Sequence, residues 1–138
     1  MKIKIVLDEK AIMPEKAHRL DAGFDLRTPK EITVCARNSA IIDTGVHMEI
    51  PDGYVGMLKS KSGLNVKYDI VSEGVIDAGY TGSIVAKLHN NGDKDYHFNA
   101  GDKVTQIVIL PIPDVELEKV DSLEDTERGN CGFGSTGR

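Results

Sequence analysis

The sequence has 138 residues, a length typical of one domain with its own core and too short for a second. Charged residues make up 28% of the chain and hydrophobic residues 40%, the balance of an ordinary globular protein. The net charge of -5 argues against a nucleic-acid partner or an anionic membrane surface, so any phosphate binding must come from a local cluster of Lys and Arg.

Cysteine usage and the N-terminus favour a cytoplasmic protein. Cys35 and Cys131 lie far apart in the sequence and fit no metal or redox spacing, which is typical of ordinary reduced thiols. The segment Met1–Leu7 alternates like a first strand over Ile3–Leu7 and lacks the long apolar run of a signal peptide or membrane span.

The next segment carries two carboxylates. Pro14 favours an extended connection before it. Asp21 and Asp25, four residues apart, have the chemistry of an acid/base pair or of oxygen ligands to a divalent cation. Aspartate is also common in turns that flank strands, and the local pattern by itself favours the turn.

Short β-rich runs follow. Ile32–Val34 and Ile41–Ile50 alternate, a Pro-Asp-Gly turn comes at residues 51–53, and another strand starts over Tyr54–Leu58, so the region predicts a β-meander. His47 is expected on a strand face rather than at a metal.

Residues 59–65 concentrate two lysines, two serines and a glycine at the end of a strand. Ammonium groups, hydroxyls and backbone N–H groups are the donors that a polyphosphate needs, although an exposed polar loop has the same composition. A short helix is predicted over Leu64–Asp69.

The segment Gly74–Gly82, followed by the alternating run Ser83–Leu88, predicts a tight β-hairpin. Asp77 and Tyr80 would then sit on its two shoulders and line one small pocket. The alternative is an aspartate that caps its own turn and a tyrosine that packs.

The C-terminal third predicts three more strands, over Tyr96–Phe98, Gly101–Pro111 and Val115–Val120, with a turn at residues 89–93. Residues 132–137 fit the dinucleotide-binding pattern G-x-G-x-x-G, but that motif needs a following helix and one residue remains, so we reject it. Residues 125–138 are instead expected to form a flexible, mobile Gly-rich lid on the single domain 1–138.

The many short alternating runs, without sustained helical periodicity, predict an all-β fold, a distorted antiparallel jelly-roll barrel.

Five segments resemble, in order, the motifs of the trimeric deoxyuridine triphosphate diphosphatases (dUTPases). They are Asp21–Thr28, Lys59–Asn65, Gly74–Gly82, Gly101–Gln106 and the glycine-rich tail from Arg128. The resemblance implies hydrolysis of dUTP to dUMP and pyrophosphate with Mg2+ on the triphosphate, which keeps uracil out of DNA and supplies dUMP for thymidylate synthesis. It also implies a homotrimer with shared active sites.

The resemblance also implies roles for particular residues. Asp77 would be the general base that activates water, Tyr80 would exclude a ribose 2′-hydroxyl, and Asp25 would hold Mg2+ indirectly, through water. The expected substrate-binding residues are Lys61, Ser62, Gly63 and Gln106 at the phosphates, Val71, Val75, Ile76 and Val85 at uracil, and Arg128, Phe133, Gly134, Ser135 and Thr136 in the lid.

The chain departs from the family pattern at four positions. Lys61 replaces the usual Arg, so one ammonium replaces a forked guanidinium. Ser60 stands where Pro is common, Gly79 replaces an acid, and Val71 replaces a polar residue, which leaves uracil recognition there to the main chain.

Two other functions are compatible with these residues. The related dCTP deaminases share the fold, but the hairpin here has the diphosphatase pattern Ile-Asp-x-x-Tyr, and the zinc-deaminase signature is absent from the sequence. A nucleotide-binding regulatory protein without turnover is the other alternative.

Overall fold

The structure, a computed structural model, describes residues 1–137. In that range ten strands and one helix form. The elements are β1 Lys4–Leu7, β2 Gly23–Arg27, β3 Ile32–Val34, β4 Ser39–Asp43, β5 Val46–Glu49, β6 Tyr54–Lys59, α1 Ser62–Tyr68, β7 Ile70–Ile76, β8 Val85–Asn90, β9 Tyr96–Phe98 and β10 Lys103–Pro111.

The strands build an antiparallel β structure in which one sheet dominates. Its strand order is β2-β10-β6-β7-β8-β4, and the pairs β1-β5 and β3-β9 flank it. All strand pairs are antiparallel. The all-β, jelly-roll prediction is therefore confirmed.

Two apolar clusters fill the interior, because alternate residues of the strands point inward. One cluster packs between β1, β2, β5, β6 and β10 around Leu26, Leu58 and Ile107. The other packs α1 through Leu64 against the strands that carry Ile70 and Phe98. The site segments described below are anchored on these two cores.

The predicted meander is wrong. The strands β3, β4, β5 and β6 do not pair with each other; they pair with β9, β8, β1 and with β7 and β10. The run Ile41–Ile50 is broken at Thr44 and Gly45, where Gly45 has φ +67° and the Thr44 hydroxyl donates to the Ile84 carbonyl. This break turns β5 away from β4 and towards β1.

The predicted strand over Val115–Val120 is also wrong. Residues 112–120 are exposed and form no strand. The last backbone tie of this segment is the Ile112 N–H, which donates to the Gly53 carbonyl at 2.8 Å. Alternating apolar and polar residues are only a sequence pattern, whereas a strand also needs a neighbouring strand to pair with. Within residues 1–137, no strand pairs with residues 115–120.

The predicted short helix is confirmed, although it starts two residues earlier, at Ser62. Asp69 ends it in the left-handed conformation with φ 56°, and its N–H returns to the carbonyls of Asn65 and Leu64. Across residues 1–137, no helix has the length and apolar character needed to cross a membrane.

Candidate active site

Asp77 and Tyr80 are the first and last residues of one β-turn. The Tyr80 N–H donates to the Asp77 carbonyl at 3.2 Å, and Gly79 has φ +85°. A side chain at position 79 would be strained there, which explains why the glycine fits this turn. The Tyr80 hydroxyl donates to the Ser83 carbonyl at 2.9 Å, so the ring is fixed across the segment.

A small pocket lies at this turn. It is lined by Val75, Ile76, Asp77, Tyr80, Ser83 and Val85. An acid, a half-exposed aromatic ring and three aliphatic side chains therefore face one space. The structure brings together four of the residues predicted to bind uracil or the sugar with the predicted general base.

The expected tight hairpin is wrong in its geometry. β7 and β8 pair only through Ile70–Ser72 with Leu88–Asn90. Beyond Ser72, β7 pairs with β6, and β8 pairs along its length with β4. The two arms separate above Ser72 and leave a gap that the pocket occupies.

The backbone edges of β7 and β8 that face the gap do not pair with each other. Each arm of it has a strand partner on its outer side, and no strand of residues 1–137 lies between the arms. Backbone N–H and C=O groups that face such a gap are available to a flat ligand. Val71 pairs with His89 near the closed end of the gap, away from the pocket residues.

A second polar cluster centres on Asp25. The side chain of Asp25 is 4% exposed, and its carboxylate accepts hydrogen bonds from the ammonium groups of Lys61 and, at 2.7 Å, Lys103. Burial raises the pKa of Asp25, but these two lysines outweigh it and lower the pKa below its ordinary value. The Asp25 carboxylate is therefore ionised and holds the ammonium groups of Lys61 and Lys103 in place.

Asp25 does not lie in a turn, so the turn interpretation is wrong for it. It lies in β2, where it pairs in register with Gln106. Asp21 does lie in a turn, in which its carboxylate accepts the His18 N–H at 2.8 Å. The sequence pattern could not separate the two, because burial and the lysine partners come from distant strands.

Gln106 fixes the segment between β6 and α1. Its side-chain amide donates to the Ser60 carbonyl at 3.0 Å, and Thr105 donates to the Lys59 carbonyl at 3.0 Å. Gly23 opposes Gln106 so closely that a Cβ there would collide with the amide oxygen. Gln106 thus positions the chain that carries Lys61.

Lys103 was missed by the sequence reasoning. It lies three residues before Gln106 in the same motif, and that proximity was the available signal. Its ammonium shares Asp25 with Lys61, so the cluster has two cations rather than one.

Ser62 and Gly63 lie in the exposed first turn of α1. The first backbone bond of the helix runs from the Asn65 N–H to the Lys61 carbonyl at 2.9 Å. The N–H groups before Asn65 have no acceptor within the helix. They extend the donor set beside the two lysines.

The tail lies apart from both clusters. Phe133 is fully exposed, and Gly134, Ser135 and Thr136 lie in exposed turns. The Arg128 guanidinium donates to the Cys131 carbonyl at 3.1 Å, and the other tail hydrogen bonds that are described are local too. Cys35 and Cys131 are free and exposed. The last position of the predicted lid, 138, lies outside the described residues.

The two clusters are far apart within one chain. Asp25 on β2 pairs across the sheet with Gln106 on β10, which pairs with Lys59 on β6, and Lys59 pairs with Glu73 on β7. Asp77 follows Glu73 by four residues along the chain. Four residues along the strands and three strands across them correspond to roughly 20 Å between Asp25 and Asp77. A single copy does not bring Lys61 and Asp77 to one phosphorus atom.

The residues around Asp25 fit a cation that binds together with a phosphate group. Within residues 1–137, no group of three or more His, Cys, Asp or Glu side chains could hold a metal ion. The Asp25 carboxylate already accepts two ammonium groups, so it fits a role through water rather than direct coordination. Mg2+ commonly keeps several waters and binds substrate phosphates.

These features define an all-β protein with a small pocket in a gap between two strands and a separate cluster of two lysines around one buried carboxylate. The dUTPase family model matches residues 9–137. A deoxyuridine 5'-triphosphate nucleotidohydrolase of Clostridium acetobutylicum is 41% identical over 99% of this chain and 96% of that protein. The tomato (Solanum lycopersicum) protein of that name is 40% identical over 95% of this chain and 78% of its own length.

Solved structures agree. A mutant dUTPase of Staphylococcus bacteriophage 80alpha with dUpNHpp has a TM-score of 0.92 and 32% identity, and covers 99% of both chains. A mutant dUTPase from phage phi11 of S. aureus, in which a structural Mg(II) ion is coordinated, has a TM-score of 0.83 and 33% identity over 91% of this chain and 100% of that one. The chain belongs to the dUTPase family.

Proposed function

We propose that this protein hydrolyses dUTP to dUMP and pyrophosphate. The observation that carries the proposal is the Asp77–Tyr80 turn at the open end of the β7/β8 gap, in a chain that matches the dUTPase family over residues 9–137. Asp77 and Tyr80 line the same pocket, so a base-activated water and a sugar ring can meet there.

The gap is the proposed uracil site. Uracil is flat and presents donors and acceptors on its edge, which the free backbone groups of β7 and β8 can match. The side chains of Val75, Ile76 and Val85 add apolar surface, and Val71 closes the gap from the strand-paired end. The Tyr80 ring, held by Ser83, packs on C2′ of the sugar and excludes a 2′-hydroxyl.

Asp77 is the proposed general base. As the attacking water approaches the α-phosphorus, the carboxylate accepts its proton, the bond from oxygen to the α-phosphorus forms, and pyrophosphate leaves with the electrons of the bond that breaks. The exposed position of Asp77 at the pocket leaves room for that water.

Lys61, Lys103, Ser62 and Gly63 are proposed to bind the phosphates, with Gln106 holding their segment in place. The chemistry that Mg2+ supplies, when it is bound to the triphosphate, is neutralisation of the phosphate oxygens. Asp25 orients the two lysines, and its remaining lone pairs would hold the cation indirectly, through water. The cytoplasm suits such an enzyme and its two free thiols.

A complete site needs more than one copy of the chain. The roughly 20 Å between Asp25 and Asp77 exceeds what one α-phosphate can bridge, so we assign the pocket to one subunit and the Asp25 cluster to another. A homotrimer with three shared sites meets this requirement. Arg128, Phe133, Gly134, Ser135 and Thr136 then form the lid, in which Phe133 stacks on uracil and Arg128, Ser135 and Thr136 hold the terminal phosphates.

The activity test measures pyrophosphate release from dUTP and, in parallel reactions, from UTP, dTTP and dCTP as alternative substrates. We expect magnesium-dependent turnover of dUTP and little of the others. Binding of dUTP without turnover would replace the enzyme with a regulatory nucleotide-binding protein, and release of ammonia from dCTP would replace it with a deaminase.

Subunit complementation tests the shared site. Asp77→Asn and Lys61→Ala proteins, each weakly active alone, are unfolded together, refolded as mixed assemblies and assayed. Random 1:1 mixing is expected to restore about one quarter of the wild-type sites, because each site draws Asp77 and Lys61 from different copies. Refolding Asp77→Asn with Asp77→Ala is the matched control. No recovery in the first mixture would place both residues in one copy.

Phe133→Ala tests the lid. Phe133 is fully exposed, so its removal should leave the melting temperature unchanged. Stacking of an aromatic ring on a base is worth about 1–3 kcal/mol, so kcat/KM for dUTP should fall by about 5- to 150-fold. Leu123→Ala removes another exposed apolar side chain and should change neither quantity. Unchanged kcat/KM in Phe133→Ala would remove the lid from the proposal.

A further inference from the structure

His47 connects the active-site segment to the rest of the barrel. It lies on β5, and its Nδ1 is 2.7 Å from the carbonyl oxygen of Thr81, directly after Tyr80. Its Nε2 is 3.1 Å from a carboxylate oxygen of Asp8, which follows β1. One imidazole therefore bridges the segment 77–84 and the N-terminal strand pair.

Both partners of this imidazole are acceptors. A carbonyl oxygen cannot donate a hydrogen bond, and an ionised carboxylate cannot either. The two bonds can coexist only when each ring nitrogen carries a hydrogen, that is, when His47 is an imidazolium. A neutral imidazole has one N–H and must give up one of the two bonds. Because an ionised carboxylate is a stronger acceptor than a carbonyl oxygen, the remaining N–H stays with Asp8 and the bond to Thr81 is lost.

The hydrogen bond to Thr81 raises the pKa of His47 above 6.5, the bond to Asp8 adds to this, and partial desolvation opposes it. Because the pKa is raised, the two-bonded state predominates at and below pH 6.5 and is lost as the pH rises through the raised value.

The hydrogen bond between His47 and Thr81 constrains the chain segment that carries the pocket residues. Within the same segment, the Tyr80 hydroxyl donates to the Ser83 carbonyl, and the Ser83 hydroxyl donates to the carboxylate of Asp43. Thr81 lies between these anchored residues and has its own anchor in His47. Release of Thr81 therefore frees the chain next to the ring that packs on the sugar.

The charges around His47 come from every element near it. They are Asp8 after β1, Asp43 at the end of β4, Lys30 near Asp43, and the ion pair of Lys4 with Glu49 across β1 and β5. Lys4 and Glu49 balance each other at 2.9 Å, so the nearby negative charge of Asp8 dominates.

We infer that His47 is a positioning residue for the proposed dUTP site: together with Asp8 it holds Thr81, and thereby Tyr80 and the pocket, in the arrangement that binds the nucleotide. The inference rests on the proposed function. It makes the nucleotide affinity depend on pH through a side chain that does not touch the substrate.

The kinetic test follows KM for dUTP from pH 5.5 to 9 in the wild type, His47→Gln, Asp8→Asn and His18→Gln. The amide introduced by His47→Gln has a donor for Thr81 at every pH, so the profile of this variant reports the other titrations, including that of the substrate. Compared with the KM of His47→Gln at the same pH, the wild-type KM should rise about 2- to 10-fold with increasing pH, because one net hydrogen bond contributes a factor of this size. Asp8→Asn should flatten that rise, because its amide can donate to Nε2 of a neutral His47 and leave the Nδ1–H for Thr81. His18→Gln should retain the wild-type profile. Parallel profiles in the wild type and His47→Gln would overturn the inference.

A second measurement needs no turnover. The ring 15N shifts of His47 are assigned by their loss in His47→Gln, and the 13C shift of the Thr81 carbonyl is followed over the same pH range. We expect both ring nitrogens to be protonated at pH 6, a midpoint above 6.5, and a carbonyl shift with that midpoint. A midpoint at or below 6.5, or a carbonyl that does not respond, overturns the inference even if the protein hydrolyses dUTP. An absence of dUTP turnover together with the expected shifts would instead contradict the proposed function.

Discussion

Asp77→Asn is expected to lower kcat for dUTP by about 10²- to 10⁴-fold, the range typical of the loss of a general base. The amide keeps the size of the carboxylate but cannot accept the proton of the attacking water. The turn is held by the backbone bond between Asp77 and Tyr80, so it should persist. The steady-state rate of pyrophosphate release under saturating dUTP gives kcat directly.

Binding separates the role of Asp77 in catalysis from a structural one. Affinity for a non-hydrolysable dUTP analogue, measured by calorimetry, should change by less than about threefold in Asp77→Asn, because the proposed uracil site is built from backbone groups. Asp52→Asn is the matched control: it also removes an exposed carboxylate from a turn at this end of the sheet. Equal losses of kcat in both variants would show that charge near the sheet end, and not a base, was removed.

Local chemistry made most of the fold predictable. Strand alternation, the turn at residues 51–53 and the short helix after Lys61 depend on neighbours in the sequence, and all three are present. Strand pairing depends on partners far along the chain. The meander prediction failed for this reason: Gly45 breaks the run and sends β5 to β1.

The candidate site divides in the same way. Asp77 and Tyr80 are three residues apart, so a turn pattern was enough to place them in one pocket. The environment of Asp25 could not be predicted, because Lys61 and Lys103 reach it from two other parts of the chain. Likewise, no local pattern shows that His47 reaches Thr81.

Asp25→Asn is expected to destabilise the protein by about 1–3 kcal/mol at pH 7, less than a fully buried pair would cost. The amide leaves the ammonium groups of Lys61 and Lys103 without their counter-charge. Their side chains are 26% and 35% exposed, so water recovers part of the loss. Guanidinium unfolding at one fixed protein concentration measures the change, and dUTP turnover should fall with it, because the two cations lose their orientation.

An exposed ion pair provides the control. Asp93 pairs with Arg37, and their side chains are 83% and 67% exposed, so Asp93→Asn should change the unfolding free energy by less than about 0.5 kcal/mol. Adding Lys103→Met to Asp25→Asn should recover part of the stability, since it removes one of the two uncompensated ammonium groups. Strict additivity of the two substitutions would argue that Asp25 and Lys103 do not interact.

The pH dependence gives Asp25→Asn a sharper outcome than the size of the loss. The lysines lower the pKa of Asp25 below its ordinary value of 3.8, so the ionised carboxylate stabilises the fold above pH 3.8 and this contribution disappears as the pH falls through the lowered value. The stability difference between wild type and Asp25→Asn should therefore be full at pH 6 and shrink below pH 3.8. Asp43, whose pKa is lowered by the hydroxyl of Ser83 and the N–H of Gly45, is intact in both proteins, so its contribution cancels in the difference. A difference that stays constant from pH 6 to pH 2.5 would mean that packing, rather than the charge of Asp25, accounts for the effect.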